Sequence, residues 1–143
     1  MENSTLSSAL RTVTSKLQKR LIKQMKTVDN LSMTEVTTLS NLYHNASLYP
    51  SEMAEMVKVK AQSMSQIINH LEELSLISRT PSAQDKRKVS ISLSTPGREM
   101  VEQTRGERDE WLSNAIEHHL SAAEKKVLEQ AVLLLDRLTD YKS

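Results

Sequence analysis

Apolar residues recur every three or four positions at the start of the chain, at Leu6, Leu10, Val13, Leu17, Leu21 and Met25. This spacing puts them on one face of a helix and predicts an amphipathic helix from about Ser4 to Lys26. Ser32-Met33-Thr34-Glu35 has the form of a capping box, opening a second helix with Val36, Leu39, Leu42 and Tyr43 as its stripe. The pattern breaks at Pro50 and restarts with Ser51 as the expected N-cap, with Met53, Ala54 and Val57 facing inward. A further helix carries Met64, Ile67, Ile68, Leu71 and Leu74 in one stripe.

The period then changes. Two short extended segments are predicted, at about Leu76–Arg79 and Lys88–Leu93. In the second, Val89, Ile91 and Leu93 alternate with Ser90, Ser92 and Ser94, so the apolar set is expected to anchor a hairpin. Thr95 as cap and Pro96 in the first turn open a long helix running to about His119. Ser121 to Glu124 supplies another capping box, and a strongly apolar final helix follows. Its Val127, Leu128, Ala131, Val132, Leu134, Leu135 and Leu138 form a band too wide for one neighbour. Such a band is covered either by a second subunit or by an intrachain bundle core. The expected fold class is mainly α with a small two- or three-stranded β wing. A winged helix-turn-helix lobe (29–97) is joined to a helical dimerisation region (1–28 and 98–143).

Composition narrows the chemistry. The 143 residues contain two Gly, three Pro and no Phe, too few turn residues and aromatics for an all-β fold. With no Cys there is no disulfide, thiolate nucleophile or cysteine metal site. No apolar run approaches the ~18 residues of a membrane span. The opening MENSTLSSALRTV lacks the plan of a signal peptide, so a cytoplasmic location is expected. A glycine-rich phosphate loop, Gly-x-Ser-x-Gly and His-Glu-x-x-His are all missing, and no enzyme activity is expected. His118 and His119 point about 100° apart on a helix, a poor chelating pair, and no metal or other cofactor is expected. The seven Met read as core filler.

Net charge is only +1, but it is sorted along the chain. Arg11, Lys16, Lys19, Arg20, Lys23 and Lys26 occur with no acid among residues 10–28, whereas acids outnumber bases over 98–143. The basic first helix either lines a DNA-facing side or coats solvent, and the second reading is favoured. A second basic cluster spans Lys58, Lys60, Arg79, Lys86, Arg87 and Lys88.

On the fourth helix, Gln62, Gln66 and Asn69 lie opposite the apolar stripe, with Ser65 beside them and Ser63 and His70 on the other flank. A merely solvated face would favour Glu and Lys. Amides and hydroxyls instead suit base edges in a major groove. Lys58 and Lys60, at the start of that helix, would lie near phosphates. A polar helix face without a ligand is the plainer alternative, as is a solvated hairpin tip for Asp85-Lys86-Arg87-Lys88.

The segment from Pro50 to Gly97 resembles the multiple-antibiotic-resistance regulator (MarR) family of winged-helix transcription factors. The resemblance is carried by the ordered set Leu71-Glu72, Leu76-Ile77, Arg79, Asp85-Lys86-Arg87 and Leu93-Ser94-Thr95-Pro96-Gly97. It departs from the family pattern at Lys58 and Ser75, where Gly is usual, and at Lys60, where Ser or Thr is common. Because Gly suits a left-handed C-cap and Ser tolerates it less well, the departure at Ser75 should cost ~1 kcal/mol.

The resemblance implies a homodimeric repressor on double-stranded DNA. Its subunits would pair through first and last helices, setting two recognition helices about one DNA turn (~10 bp) apart on a pseudo-palindromic operator. It makes the wing tip a second contact, with Arg87 entering a minor groove and Lys86 and Lys88 on the backbone. It implies that Asp85 aims a neighbouring arginine, either Arg87 or Arg79, so Asp85 and Arg79 are expected to position the wing. Release by a small aromatic effector is a further implication, although one Trp and three Tyr mark no pocket. The competing function is a winged-helix protein-interaction or dimerisation module that binds no DNA.

Overall fold

Helix starts and stops account for most of the architecture. A computed structural model describes residues 1–28 and 30–143. Its elements are α1 (Asn3–Ile22), α2 (Met33–His44), α3 (Pro50–Val57), α4 (Ala61–Glu73), β1 (Ile77–Pro81), β2 (Val89–Leu93), α5 (Thr95–His119) and α6 (Ala122–Leu138). The strands form a two-stranded antiparallel sheet, so the chain is mainly α with a small wing. Two compact units result, Lys23–Glu107 and Met1–Ile22 with Arg108–Ser143. Residue 29, where the sequence pattern puts the start of the lobe, lies outside the described residues.

Both anticipated capping boxes form. Ser32 Oγ accepts from the Glu35 N–H at 3.1 Å while Glu35 Oε1 accepts from the Ser32 N–H at 3.0 Å. Ser121 and Glu124 repeat this at 3.1 and 2.9 Å. Two other helix starts differ from expectation. The cap of α3 is Tyr49, not Ser51, because Pro50 takes the first helical position, where its missing N–H costs nothing. Glu52 Oε1 accepts from the Tyr49 N–H at 2.9 Å. The cap of α5 is Ser94 in place of Thr95. Its Oγ accepts from the Gly97 N–H at 3.1 Å and donates to the Ser75 carbonyl at 2.6 Å.

In unit Lys23–Glu107, the stripes of α2, α3 and α4 meet Leu48, Leu76, Ile77, Ile91 and Val101 in one core. Leu39, Leu42, Met53, Met64, Ile68, Leu71 and Ile91 are essentially without solvent contact. Removing such side chains from water is the main stabilising term, ~1.5–3 kcal/mol for each large one. The α4 stripe stops at Leu71: Leu74 is the C-cap and is exposed, because the chain turns left-handed at Ser75. Among the described residues, Lys58 (φ 56°) and Ser75 (φ 61°) are the non-glycine residues with positive φ, at the two positions where the resembling family favours glycine.

The wing pairs Ile77 with Leu93, Arg79 with Ile91, and Pro81 with Val89. A third strand is reduced to one bridge, Leu48 with Ile91, through hydrogen bonds of 2.9 and 2.8 Å. The expected alternation of β2 does not appear in its burial, since Ser90 and Ser92 are half-buried. Ile91 is fully buried, Leu93 partly, and Val89, at the end paired with Pro81, is exposed. Gly97 sits where a side chain cannot: a Cβ there would lie 2.0 Å from the Leu76 carbonyl oxygen.

In the other unit, no residue of α1 or α6 is buried. Leu133 is 68% exposed, Val127 66% and Leu138 61%. An intrachain bundle core for the α6 band is therefore overturned. An apolar groove of about 750 Å³ runs between Leu6 and Leu10 of α1 and Leu134, Leu135 and Leu138 of α6. Among the described residues, no helix is long and apolar enough to cross a membrane.

Candidate nucleic-acid interface

The buried stripe of α4 dictates what its other face presents. With Met64, Ile68 and Leu71 turned into the core, Gln62, Ser63, Ser65, Gln66 and Asn69 are all exposed. The helix thus displays amide and hydroxyl groups in a contiguous row along two turns. Lys60 is its N-cap, in extended backbone, and no side chain caps the first-turn N–H groups. Lys58 closes α3 in the left-handed conformation and is also exposed. Two cations and the positive end of a helix therefore stand together at the start of α4.

At the hairpin end, Lys86, Arg87 and Lys88 are exposed while Asp85 is half-buried. The tip is closed by its backbone, with the Ser82 N–H donating to the Lys88 carbonyl at 2.9 Å and the Lys88 N–H to the Asp85 carbonyl at 3.0 Å. Inside it, the buried Ser82 hydroxyl oxygen accepts from the N–H groups of Gln84 and Asp85 at 3.2 and 3.4 Å and pairs with the Tyr49 hydroxyl at 2.8 Å. The Lys88 ammonium lies 5.1 Å from the Tyr49 ring centroid. A hydrogen-bonded loop thus displays three exposed cations, one of them over the Tyr49 ring.

Of the two arginines that Asp85 could hold, it meets Arg87. Asp85 Oδ1 accepts from the Arg87 N–H at 3.1 Å and from its Nε at 3.3 Å. These bonds, with the nearby Lys88 charge, hold the Asp85 carboxyl below its usual range. Arg79 turns elsewhere: its Nε donates to Glu72 Oε2 at 3.1 Å and its Nη2 to Asn69 Oδ1. It therefore braces α4 against β1.

Three contacts escaped the sequence reading. His70 Nδ1 bonds Glu35 Oε2, tying the flank of α4 to the start of α2. Ser82 organises the wing tip, and Ser94 links the start of α5 to the turn after α4. Glu35 carried a prior signal as the capping-box acid, and His70 and Ser94 were noted for their positions but not for these partners. Among the described residues no three His, Asp or Glu side chains converge as a metal site would require.

The MarR family model matches residues 31–89, the span from the start of α2 to the start of β2. An HTH-type transcriptional regulator of Mycobacterium tuberculosis is 29% identical over 110 residues, covering 77% of this chain and 76% of the relative. A Pseudomonas aeruginosa protein named as a candidate transcriptional regulator superposes with a TM-score of 0.86 at 27% identity, over 98% of both chains. A mutant of MepR from Staphylococcus aureus, solved bound to an oligodeoxyribonucleotide, shares the fold at a TM-score of 0.70 and 23% identity, over 93% of this chain and 97% of that one. Family model, relatives and fold agree: residues 31–89 match the MarR family, and the chain is similar over most of its length to HTH-type transcriptional regulators.

Proposed function

We propose that this protein is a homodimeric, sequence-specific DNA-binding repressor in which α4 reads the major groove and the wing contacts the minor groove. The observation that carries this is the row of exposed amides and hydroxyls on α4, backed by a fully buried stripe and led by Lys58 and Lys60. A row of this kind offers base-edge hydrogen bonding without the acids that phosphates repel. Gln62, Ser63, Ser65, Gln66 and Asn69 contact bases, and Lys58, Lys60, Lys86 and Lys88 contact phosphates. Arg87, aimed by Asp85, enters the minor groove. That a protein of the same fold has been solved bound to an oligodeoxyribonucleotide supports DNA as the partner.

Dimerisation, through residues 1–28 and 98–143, follows from the exposed leucines of α1 and α6, which lie far beyond what a monomer surface usually tolerates. Two recognition helices then sit about one turn (~10 bp) apart on a pseudo-palindrome. A small aromatic effector would release DNA only by favouring one spacing of those helices over another. Such a regulator works in the cytoplasm, where bacterial DNA lies.

The test is a gel shift on DNA from the region upstream of its own gene, beside sedimentation of the free protein. Salt-sensitive binding by a dimer, lost in Gln66→Ala, is the expected result. A correctly folded dimer that binds no double-stranded DNA above background sinks the proposal in favour of a protein-interaction module.

A further inference from the structure

We infer that Arg79, which is not itself a base reader, decides which base Asn69 reads. The inference rests on the DNA-binding reading above and adds to it a specificity at one position. A guanidinium has only donors, so the amide it meets must turn its oxygen toward it. The bond from Arg79 Nη2 to Asn69 Oδ1 therefore fixes the orientation of the Asn69 amide by chemistry alone. Arg79 is itself held by Glu72, which accepts from Nε at 3.1 Å. The side chains of Glu72, Arg79 and Asn69 form a chain in which each fixes the next.

The consequence is a one-sided amide. With Oδ1 turned to Arg79, the Asn69 Nδ2 group faces outward and has no partner among the described residues. The two-bond contact of an amide with adenine needs its oxygen and nitrogen side by side, one for N6–H and one for N7. At Asn69 that pairing has to share Oδ1 with a charged donor that already holds one of its two lone pairs, and it is disfavoured. Guanine presents two acceptors, N7 and O6, and suits an outward-facing NH2 group. Among the described residues Gln62 and Gln66 make no such bond and can present either end, so they remain able to read adenine. The Asn69–Arg79 pair thus gives α4 two adaptable amides and one fixed donor. The brace also neutralises Glu72, the acid nearest the groove-facing row.

The experiment is selection from a randomised duplex library, followed by affinity measurements at each enriched position. It uses the full chain, Arg79→Met and Asn69→Ala, with melting temperatures to show that all three fold. The parent protein is expected to enrich one position in each half-site at which guanine is favoured over adenine by about tenfold. Asn69→Ala should lose discrimination at that position alone. In Arg79→Met the amide is free to rotate, so adenine should be admitted there while the other positions keep their preferences. If Arg79→Met keeps the parent's guanine preference, or if the position lost in Asn69→Ala is one where the parent selects adenine, the inference is overturned while the DNA reading stands. A folded parent protein that enriches no sequence overturns both.

Discussion

His70, on the flank of α4, donates from Nδ1 to Oε2 of Glu35, whose other carboxylate oxygen already caps α2. One acid therefore fixes the start of one helix and the orientation of another, across 35 positions of sequence. Burial alone would raise the pKa of Glu35. The Ser32 N–H, the His70 hydrogen bond and the His70 charge outweigh it and hold the carboxyl below its ordinary value of 4.5.

A carboxyl lowered by folding adds stability above its ordinary pKa, and that stability is lost as pH falls through the lower, folded value. Glu35→Gln should therefore be less stable than the parent at pH 7, by about 1 kcal/mol. The gap should narrow as pH falls below 4.5, because a protonated Glu35 resembles Gln. Urea unfolding at pH 7 and near ~pH 3 measures it. A gap unchanged across that range contradicts the assignment.

Ser75 holds a left-handed backbone (φ 61°) that its Cβ disfavours. Ser75→Gly is expected to raise stability by about 0.5–1 kcal/mol, the relief of strain exceeding the added freedom of the unfolded chain. Ser75→Val should lower it, since β-branching is least compatible with positive φ. Only the backbone carbonyl of Ser75 serves Ser94, so neither change removes that bond. Thermal melts of the two variants decide the sign.

Gly97 responds in the opposite sense. A methyl group there meets the Leu76 carbonyl oxygen at 2.0 Å and Leu93 Cδ2 at 3.2 Å, and the first of these is backbone. Gly97→Ala must push the start of α5 away from the turn after α4. We expect a loss of about 2–3 kcal/mol, seen as a lower urea midpoint.

The wing pair separates a contacting group from an aiming group. Arg87→Ala should weaken operator binding and reduce the slope of log affinity against log salt by about 1. Asp85→Ala should weaken binding less and leave that slope in place, since no cation is removed. Fluorescence anisotropy across a salt series reads both. An unchanged slope in Arg87→Ala removes Arg87 from the phosphate-lined groove.

Where the signal was local, the sequence alone determined the outcome. Periodicity of three to four residues placed the helices, period two placed β2, and two Ser-x-x-Glu boxes marked the starts of α2 and α6, because each pattern is satisfied within one or two turns of chain. The same locality explains why Ser75 could be singled out as a left-handed cap: a helix that stops there needs such a residue whatever packs around it. Tertiary structure decided the rest. Whether a stripe is buried depends on a neighbour, so Leu71 is covered, Leu74 and Val89 are exposed, and the α6 leucines are left uncovered by their own chain. Side-chain partners depend on how elements meet. Asp85 takes Arg87 rather than Arg79, Arg79 takes Glu72 and Asn69, and Glu35 reaches His70. The amide row of α4 was legible in the sequence. The direction in which one of those amides is locked follows only from the strand that packs beside it.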